Sequence, residues 1–515
     1  MPAERSFFVT TPIYYVNDQP HLGHAYTTVA CDALARFMRL DGYRVRFLTG
    51  TDEHGQKVEK SAQAAGVSPQ QFTDRVSAAF RAMTRLLDIS NDDFIRTTEA
   101  RHVRGVEALW RVLEQRGEIY LGRFAGWYSV RDEAFYDESE LVDGKAPSGA
   151  EVEWLEEENY FFRLSAWQDR LLAYYEANPD AVAPKSRRNE VISFVRSGLK
   201  DLSISRTSFS WGIPVPGNPR HVIYVWLDAL ANYITEIGYP DVNNPDFTSF
   251  WPADLHMVGK DILRFHAVYW PAFLMAAGLA PPRRVFAHGW WTVEGQKMSK
   301  SLGNFITPDS IVETYGLDPV RYFLLRELPF GSDGDFSQRA MIGRLNGDLA
   351  NDFGNLAQRV LAMINRNCDA AVPAPGPLSA ADNALLDHAR ALLPVLRDHM
   401  AEQAFHLALE AIWRVIALAN RYVDEAAPWT LARTDRARMN TVLYVLAEVI
   451  RHLAILVQPF VPGSAGRLLD QLAAGPEERD FRALAAAPLK PGTVLPKPAG
   501  IFPRFVESAA ARARG

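Results

Sequence analysis

The sequence predicts an α/β protein: a parallel-sheet domain split by an insertion, followed by an all-α helix bundle. Three features predict it. The chain opens as strand, loop, helix, strand, and short apolar runs ending in glycine and polar groups return after residue 220. From about Arg339 to Leu472, alanine, leucine and arginine recur at helical spacing.

Ser6 to Thr11 is a β-prone run stopped by Pro12, and the loop from Ile13 to Pro20 carries Tyr14, Tyr15 and Asn17. From His21 the pattern turns helical, with Tyr26, Val29, Ala30, Ala33, Leu34 and Phe37 at three- and four-residue spacing. It ends near Asp41-Gly42, where glycine can take the left-handed conformation. Val45 to Leu48 is a second buried strand, running out in Gly50-Thr51-Asp52-Glu53-His54-Gly55. This is the opening of a Rossmann-like sheet, which binds ligands at the carboxyl ends of its strands. His21, His24, Asp52 and His54 all fall there.

Helical patterns fill Pro69 to Gln115. From Gly117 to about Gly217, aromatics, acids and turn residues crowd together, as in an insertion of mixed or β-rich structure. Val222 to Trp226 reads as a strand, and Leu255 to Asp261 and Arg284 to Gly289 as further strand ends at a site. Asp309 to Glu327 reads as helix and loop, and Ala485 to Phe505 as an arm that packs back. The expected divisions are 1–116 and 218–296 as halves of the α/β domain, 117–217 as the insertion, 297–345 as a lysine-loop region, 346–475 as the bundle and 476–515 as the arm. No internal repeat is found.

At 515 residues the chain exceeds one core, and roughly two to four domains are expected. Its 48% hydrophobic and 23% charged residues are ordinary for a soluble protein, and its net charge of -6 confines any nucleic-acid contact to a local patch. Cys31 and Cys368 are the two cysteines, which argues against a disulfide framework and a cysteine-built zinc site and fits a reducing compartment. No apolar run follows the first residues as in a secretory signal. The run from Val442 to Val457 is broken by Glu448, Arg451 and His452, so it reads as an amphipathic core helix rather than a membrane span. A cytoplasmic protein with no membrane contact is expected. No Gly-x-Gly-x-x-Gly or P-loop is present.

Two segments carry charge chemistry. Lys297-Met298-Ser299-Lys300-Ser301, followed by Leu302-Gly303-Asn304 and flanked by Gly295 and Gly303, can bring two ammonium point charges onto a polyphosphate. His21-Leu22-Gly23-His24 places two imidazoles three residues apart at a helix N-terminus, which attracts anions. Alone, each segment would read as a solvated loop or a helix cap; in this order and context they read as two parts of one site.

These paired signatures resemble those of the class I aminoacyl-tRNA synthetases. Pro12 to Asn17, Gly50 to Gly55, Tyr224-Val225-Trp226-Leu227-Asp228-Ala229, Gly259-Lys260-Asp261-Ile262, Phe265-His266 and Asn355-Leu356-Ala357-Gln358-Arg359 resemble the methionyl-tRNA synthetase family specifically. The resemblance runs from about residue 7 to 462. It implies that L-methionine and ATP, with Mg²⁺, form methionyl-adenylate and pyrophosphate, and that the methionyl group then passes to initiator and elongator methionine tRNA. His21, His24, Lys297 and Lys300 would be catalytic. Gly23, Gly259, Asp261 and Ser299 would join them around ATP, with Asp261 accepting from ribose hydroxyls. Asp52 would pair with the substrate ammonium group, a residue that alone reads as a turn aspartate. Ile13, Tyr15, Trp226, Ala229, Leu230, Tyr233, Phe265 and His266 would enclose the thioether, which suits aromatic edges. Without the family, Trp226 and Phe265 would be read as core. Asn355, Arg359 and Trp429 would read the anticodon by stacking and base-edge contacts, so the bundle is the anticodon-binding domain and 297–345 includes the stem-contact region.

Many members of the family carry zinc knuckles built from Cys-x-x-Cys pairs in the insertion. Ser129 and Asp132, and Ala146 and Gly149, stand in those places here, so no zinc or other protein-held metal is expected and packing and loop hydrogen bonds would hold the knuckle. The chain also lacks the appended oligonucleotide-binding domain that brings dimerisation, so a monomer is expected. The competing readings are a small nucleotidyltransferase, which would need no anticodon-reading bundle, a cysteinyl- or leucyl-type synthetase, and a tRNA-binding relative without activity. Intact signatures argue against the last.

Overall fold

The computed structural model describes residues 5–16, 19–131, 134–136, 138–293, 295–297 and 305–506. Two compact units result: Ser6–Cys31 with Val45–His288, and Met1–Arg5 and Asp32–Arg44 with Gly289–Gly515.

The first unit is built on a seven-stranded sheet in the order Tyr14–Tyr15, Arg44–Asp52, Ser6–Thr10, Leu255–Gly259, Val285–His288, Val182–Ala183, with Asp93–Arg96 also pairing with Arg44–Asp52. Val9 lies opposite Leu255, Met257 opposite Phe286 and Leu48 opposite Asp93, all in parallel register. Phe8, Val9, Leu48, Met257 and Val258 are buried, as expected of strands covered on both faces. Gly50 is forced by close packing, since a Cβ there would sit 2.1 Å from the Ile95 carbonyl oxygen. The first strand lies between the second and a strand some two hundred residues later, so successive crossings leave it in opposite directions. The crevice at their carboxyl ends is the ligand position of such sheets.

Two sequence expectations need correction here. The strand predicted over Val222 to Trp226 ends at Ile223, in a separate antiparallel sheet with Ser205–Arg206 and Pro214–Val215. Val225–Leu230 is a helix, opened by bonds from Leu227 and Asp228 N–H to the Tyr224 carbonyl, and it buries Val225, Leu227 and Leu230. Tertiary burial outweighs the strand preference of Val and Trp. The stretch 117–217 does form an antiparallel sheet, from Ala134–Tyr136, Ile119–Ser129, Glu153–Phe162 and Leu202–Ser203. Its Val182–Ala183, however, pairs in parallel with Val285–Phe286 and so edges the main sheet. In the loop expected to be held by hydrogen bonds, the turn is closed by Gly149 N–H to the Ala146 carbonyl (2.8 Å) and Ala146 N–H to the Ala150 carbonyl (2.9 Å); Asp132 lies outside the described residues.

The second unit holds a small sheet, Gln296–Lys297, Trp291–Val293 and Gly334–Phe336, and a helical bundle. Helix Arg436–Val457 runs through it. By length and composition this helix could cross a membrane, but 89% of its apolar window is buried inside the protein, as in a core helix. The amphipathic expectation fails in detail, because Glu448, Arg451 and His452 are buried rather than facing water. Arg451 pairs with both Glu448 oxygens at 2.6 and 3.0 Å and donates to the Ala483 and Leu484 carbonyls, while Glu448 also accepts from Leu489 N–H. The C-terminal arm packs back as expected: Leu495 N–H bonds to Ala370, Phe505 N–H bonds to Asn346, and Phe502 lies on Phe353.

Candidate active site

Helix Leu22–Leu40 begins directly after the loop that follows the first strand, and His21 stands just before it. The His21 N–H donates to His24 Nδ1 (3.1 Å), and the Gly23 N–H donates to His21 Nδ1 (3.0 Å). Both Nδ1 atoms are acceptors, so each neutral ring carries its proton on Nε2. The rings lie 3.8 Å apart, and burial, then the proximity of His21, holds His24 well below the usual imidazole range. The pair therefore offers two neutral N–H donors where the helix end adds its own attraction for anions. Gly23 is required by the ring beside it, because a Cβ would lie 2.9 Å from His21 Cε1.

Gly259 ends its strand at the same sheet edge, and a Cβ there would lie 2.5 Å from Asp261 Oδ1, so the carboxylate folds over the glycine. Gly259 is in register with His288, whose Nε2 lies 2.7 Å from Thr27 Oγ1. Thr27 and His288 thus tie the histidine-bearing helix to the Asp261 strand end. The sequence marks His288 as the close of an apolar run at a strand end and gives no sign of Thr27.

The other half of the crevice gathers the residues expected around the amino acid. Tyr15 and Asp52 are neighbours in register on parallel strands, and Asp52 is buried. Trp226 and Phe265 stack at 3.6 Å and 7°, and Trp226 meets His266 edge-on at 6.3 Å and 82°. Phe265 and His266 lie on a π-wound stretch, Phe265–Tyr269, which the sequence did not reveal; such stretches recur at functional sites. His266 Nδ1 lies 2.9 Å from the Ile262 carbonyl and so carries the proton, leaving Nε2 to accept the Tyr233 hydroxyl at 2.7 Å. Burial takes His266 down to about 4, so it is neutral at neutral pH. Tyr233 stacks on His256 at 4.0 Å, and His256 is held by Thr10 and Trp270. Ala229, Leu230, Tyr233 and His266 are buried, while Ile13, Tyr15, Trp226 and Phe265 are half-buried around them.

Tyr233→Phe removes the proton that satisfies His266 Nε2. It is expected to lower unfolding stability by about 1–3 kcal/mol, the cost of leaving a buried acceptor unpaired. Chemical denaturation measures it; a variant as stable as the parent would contradict it.

In the second unit, Asn355 and Arg359 are exposed on one face of helix Asn355–Asn367, which continues a π-wound stretch, Arg344–Gly354. Arg359 is aimed by Asp424 (3.2 Å) and Asn420 (3.0 Å), and Asn355 donates to Asn351. Trp429 follows buried Pro428 and is 48% exposed, which rules out a role as bundle core. Lys297 extends strand Gln296–Lys297 opposite Thr292; its side chain, Ser299 and Lys300 lie outside the described residues.

A parallel sheet with a histidine-bearing helix N-terminus at its crevice, in a chain that also holds a helical bundle, is the arrangement that the resemblance to the class I aminoacyl-tRNA synthetases implies. The family model described as tRNA synthetases class I (M) matches residues 7–153 and 139–361, and that of the anticodon binding domain of methionyl tRNA ligase matches residues 372–513. A methionine–tRNA ligase of Mesorhizobium japonicum is 57% identical over 99% of this chain and 100% of its own length; one from Brucella suis is 57% identical over 98% and 99%. The structure superposes on Mycobacterium tuberculosis methionyl-tRNA synthetase in complex with methionyl-adenylate with a TM-score of 0.95, at 55% identity, covering 97% of this chain and 100% of that one. The chain belongs to the methionyl-tRNA synthetase family and is an enzyme, a ligase of methionine and tRNA.

Proposed function

We propose that the crevice of the first unit forms methionyl-adenylate from L-methionine and ATP, and that the chain then transfers the methionyl group to initiator and elongator methionine tRNA. Asp52 pairs with the substrate ammonium group, which turns the carboxylate toward the α-phosphate for in-line attack. Trp226, Phe265, Tyr233 and His266 enclose the thioether, with Ile13, Tyr15, Ala229 and Leu230 completing the wall. Shape alone separates methionine from leucine by about 1–3 kcal/mol per methylene, so the neutral Tyr233–His266 pair supplies polar contrast besides. His21 and His24 donate to the phosphates, Gly23 and Gly259 let the nucleotide approach the backbone, and Asp261 accepts from ribose. Lys297, Ser299 and Lys300 neutralise the leaving pyrophosphate. Catalysis is positioning and charge stabilisation, with no covalent bond to the enzyme.

Magnesium accompanying ATP would supply charge neutralisation at the phosphates. We assign no structural zinc, a monomer and a cytoplasmic location. The observation that supports the reading is that Tyr15–Asp52 and the His21–His24 pair lie at the carboxyl ends of strands of one parallel sheet, while the short helix bearing Trp226 and the π-wound stretch after strand Leu255–Gly259 stack Trp226 on Phe265 and set it edge-on to His266.

Amino-acid-dependent exchange of labelled pyrophosphate into ATP tests it. Methionine alone should stimulate exchange; stimulation by cysteine or leucine instead would redirect the assignment, and none at all would leave a tRNA-binding protein. For the anticodon surface, Trp429→Ala is expected to weaken tRNA binding by about 1–3 kcal/mol without changing tRNA-free exchange, since one stacked base is lost. Filter binding measures it, and unchanged affinity would remove Trp429 from the interface.

A further inference from the structure

Asp228 is a fully buried carboxylate on helix Val225–Leu230, between the pocket residues Trp226 and Ala229. Each of its oxygens meets a different imidazole: Oδ2 meets His54 Nδ1 at 2.6 Å, and Oδ1 meets His102 Nε2 at 2.7 Å. His54 lies two residues beyond Asp52. His102 comes from helix Ala100–Gln115, and its Nδ1 lies 2.9 Å from Thr235 Oγ1, two residues beyond Tyr233. Burial raises the Asp228 carboxyl, but the two imidazoles outweigh it and bring it below the usual carboxylate range. An ionised carboxylate accepts and cannot donate, so His54 must carry a proton on Nδ1 and His102 on Nε2. A charge kept this deep is costly unless fully bonded, and removing one partner leaves it exposed to that cost.

We propose that Asp228 is a positioning residue for methionine, bracing the Asp52 loop against the thioether wall through His54 and His102; this rests on the pocket assigned above. The two ends of the substrate are met by segments far apart in sequence: the loop after strand Arg44–Asp52 and the short helices Val225–Leu230 and Asn232–Thr235. Asp228 touches the first through His54, stands on the second, and reaches the third through His102 and Thr235. The bonds therefore set the distance from ammonium partner to side-chain wall, a quantity on which a bound carboxylate's line of attack depends.

The test is methionine-dependent pyrophosphate exchange by the full chain, with KM read separately for methionine and ATP. Asp228→Asn should raise the methionine KM about tenfold or more and leave the ATP KM within about twofold, because a charged hydrogen bond is lost on the amino-acid side. His102→Gln, whose amide nitrogen can replace Nε2–H, should keep a near-parental methionine KM; His102→Asn, which cannot reach, should resemble Asp228→Asn. Parental methionine KM in Asp228→Asn and His102→Asn would overturn the proposal. So would equal losses in His102→Gln and His102→Asn, or methionine and ATP KM rising together. If Asp228→Asn fails to fold, the His102 pair decides. Asp52→Ala separates the two assignments: an unmoved methionine KM there sinks the pocket itself, whereas a raised one beside a parental Asp228→Asn sinks the brace.

Discussion

Lys300→Ala is expected to slow methionyl-adenylate formation by about 10²–10³-fold while leaving the methionine KM nearly unchanged. Negative charge accumulates on pyrophosphate as its bond to the α-phosphorus breaks, and an ammonium group placed there stabilises the transition state more than the bound substrates. In the proposed arrangement methionine contacts Asp52, Trp226 and His266, and none of its contacts involves Lys300. Single-turnover quench measurements at saturating ATP read the chemical step, and equilibrium binding reads methionine affinity. Equal loss in both would make the lysine loop a structural element.

Glu448→Gln is expected to lower unfolding stability by about 3–5 kcal/mol, the cost of breaking a buried ion pair from one side. Arg451 would then keep a buried charge facing neutral acceptors alone, the Gln amide oxygen and the Ala483 and Leu484 carbonyls. The same residue gives a pH signature. Burial alone would raise the Glu448 carboxyl, but hydrogen bonds from His452 and Arg451 and the Arg451 charge outweigh it and hold it at about 2. A folded value below the ordinary 4.5 means that the unfolded chain binds the proton first as pH falls. The stabilisation is thus complete above about pH 4.5 and drains away as pH drops toward 2, a slope the Gln variant should lose. Chemical denaturation across pH 3–7 measures both effects, and a variant within about 0.5 kcal/mol of the parent would show that the pair contributes nothing.

Much of the site was legible because its chemistry sits where strands end. The apolar runs closing on Asp52, Gly259 and His288 gave three corners of the crevice, and the helical period after His21 gave the fourth. Lines of sight failed where packing decides local structure. The Val222–Trp226 run has strand propensity, yet burial of Val225 and Leu227 turns its end into a helix. The π-wound stretches under His266 and beside Asn355 leave no mark in residue spacing. A two-residue strand such as Val182–Ala183 is too short for any period, so the insertion's tie to the main sheet was invisible. Glu448 and Arg451 stand in the sequence only as interruptions of an apolar run; their mutual geometry shows them buried and paired. His102 is one histidine in a long amphipathic helix, and nothing in its neighbours announces Asp228.

The central claim is that the imidazoles near residue 21 and the ammonium groups near residue 300 serve a single bound nucleotide. A crystal structure with methionine and a non-hydrolysable ATP analogue tests it most directly. The account predicts His24 Nε2 and Lys300 Nζ each about 3 Å from oxygens of the same triphosphate. A nucleotide seated against His21 and His24 with no lysine of the 297–301 loop in reach of its phosphates would contradict it.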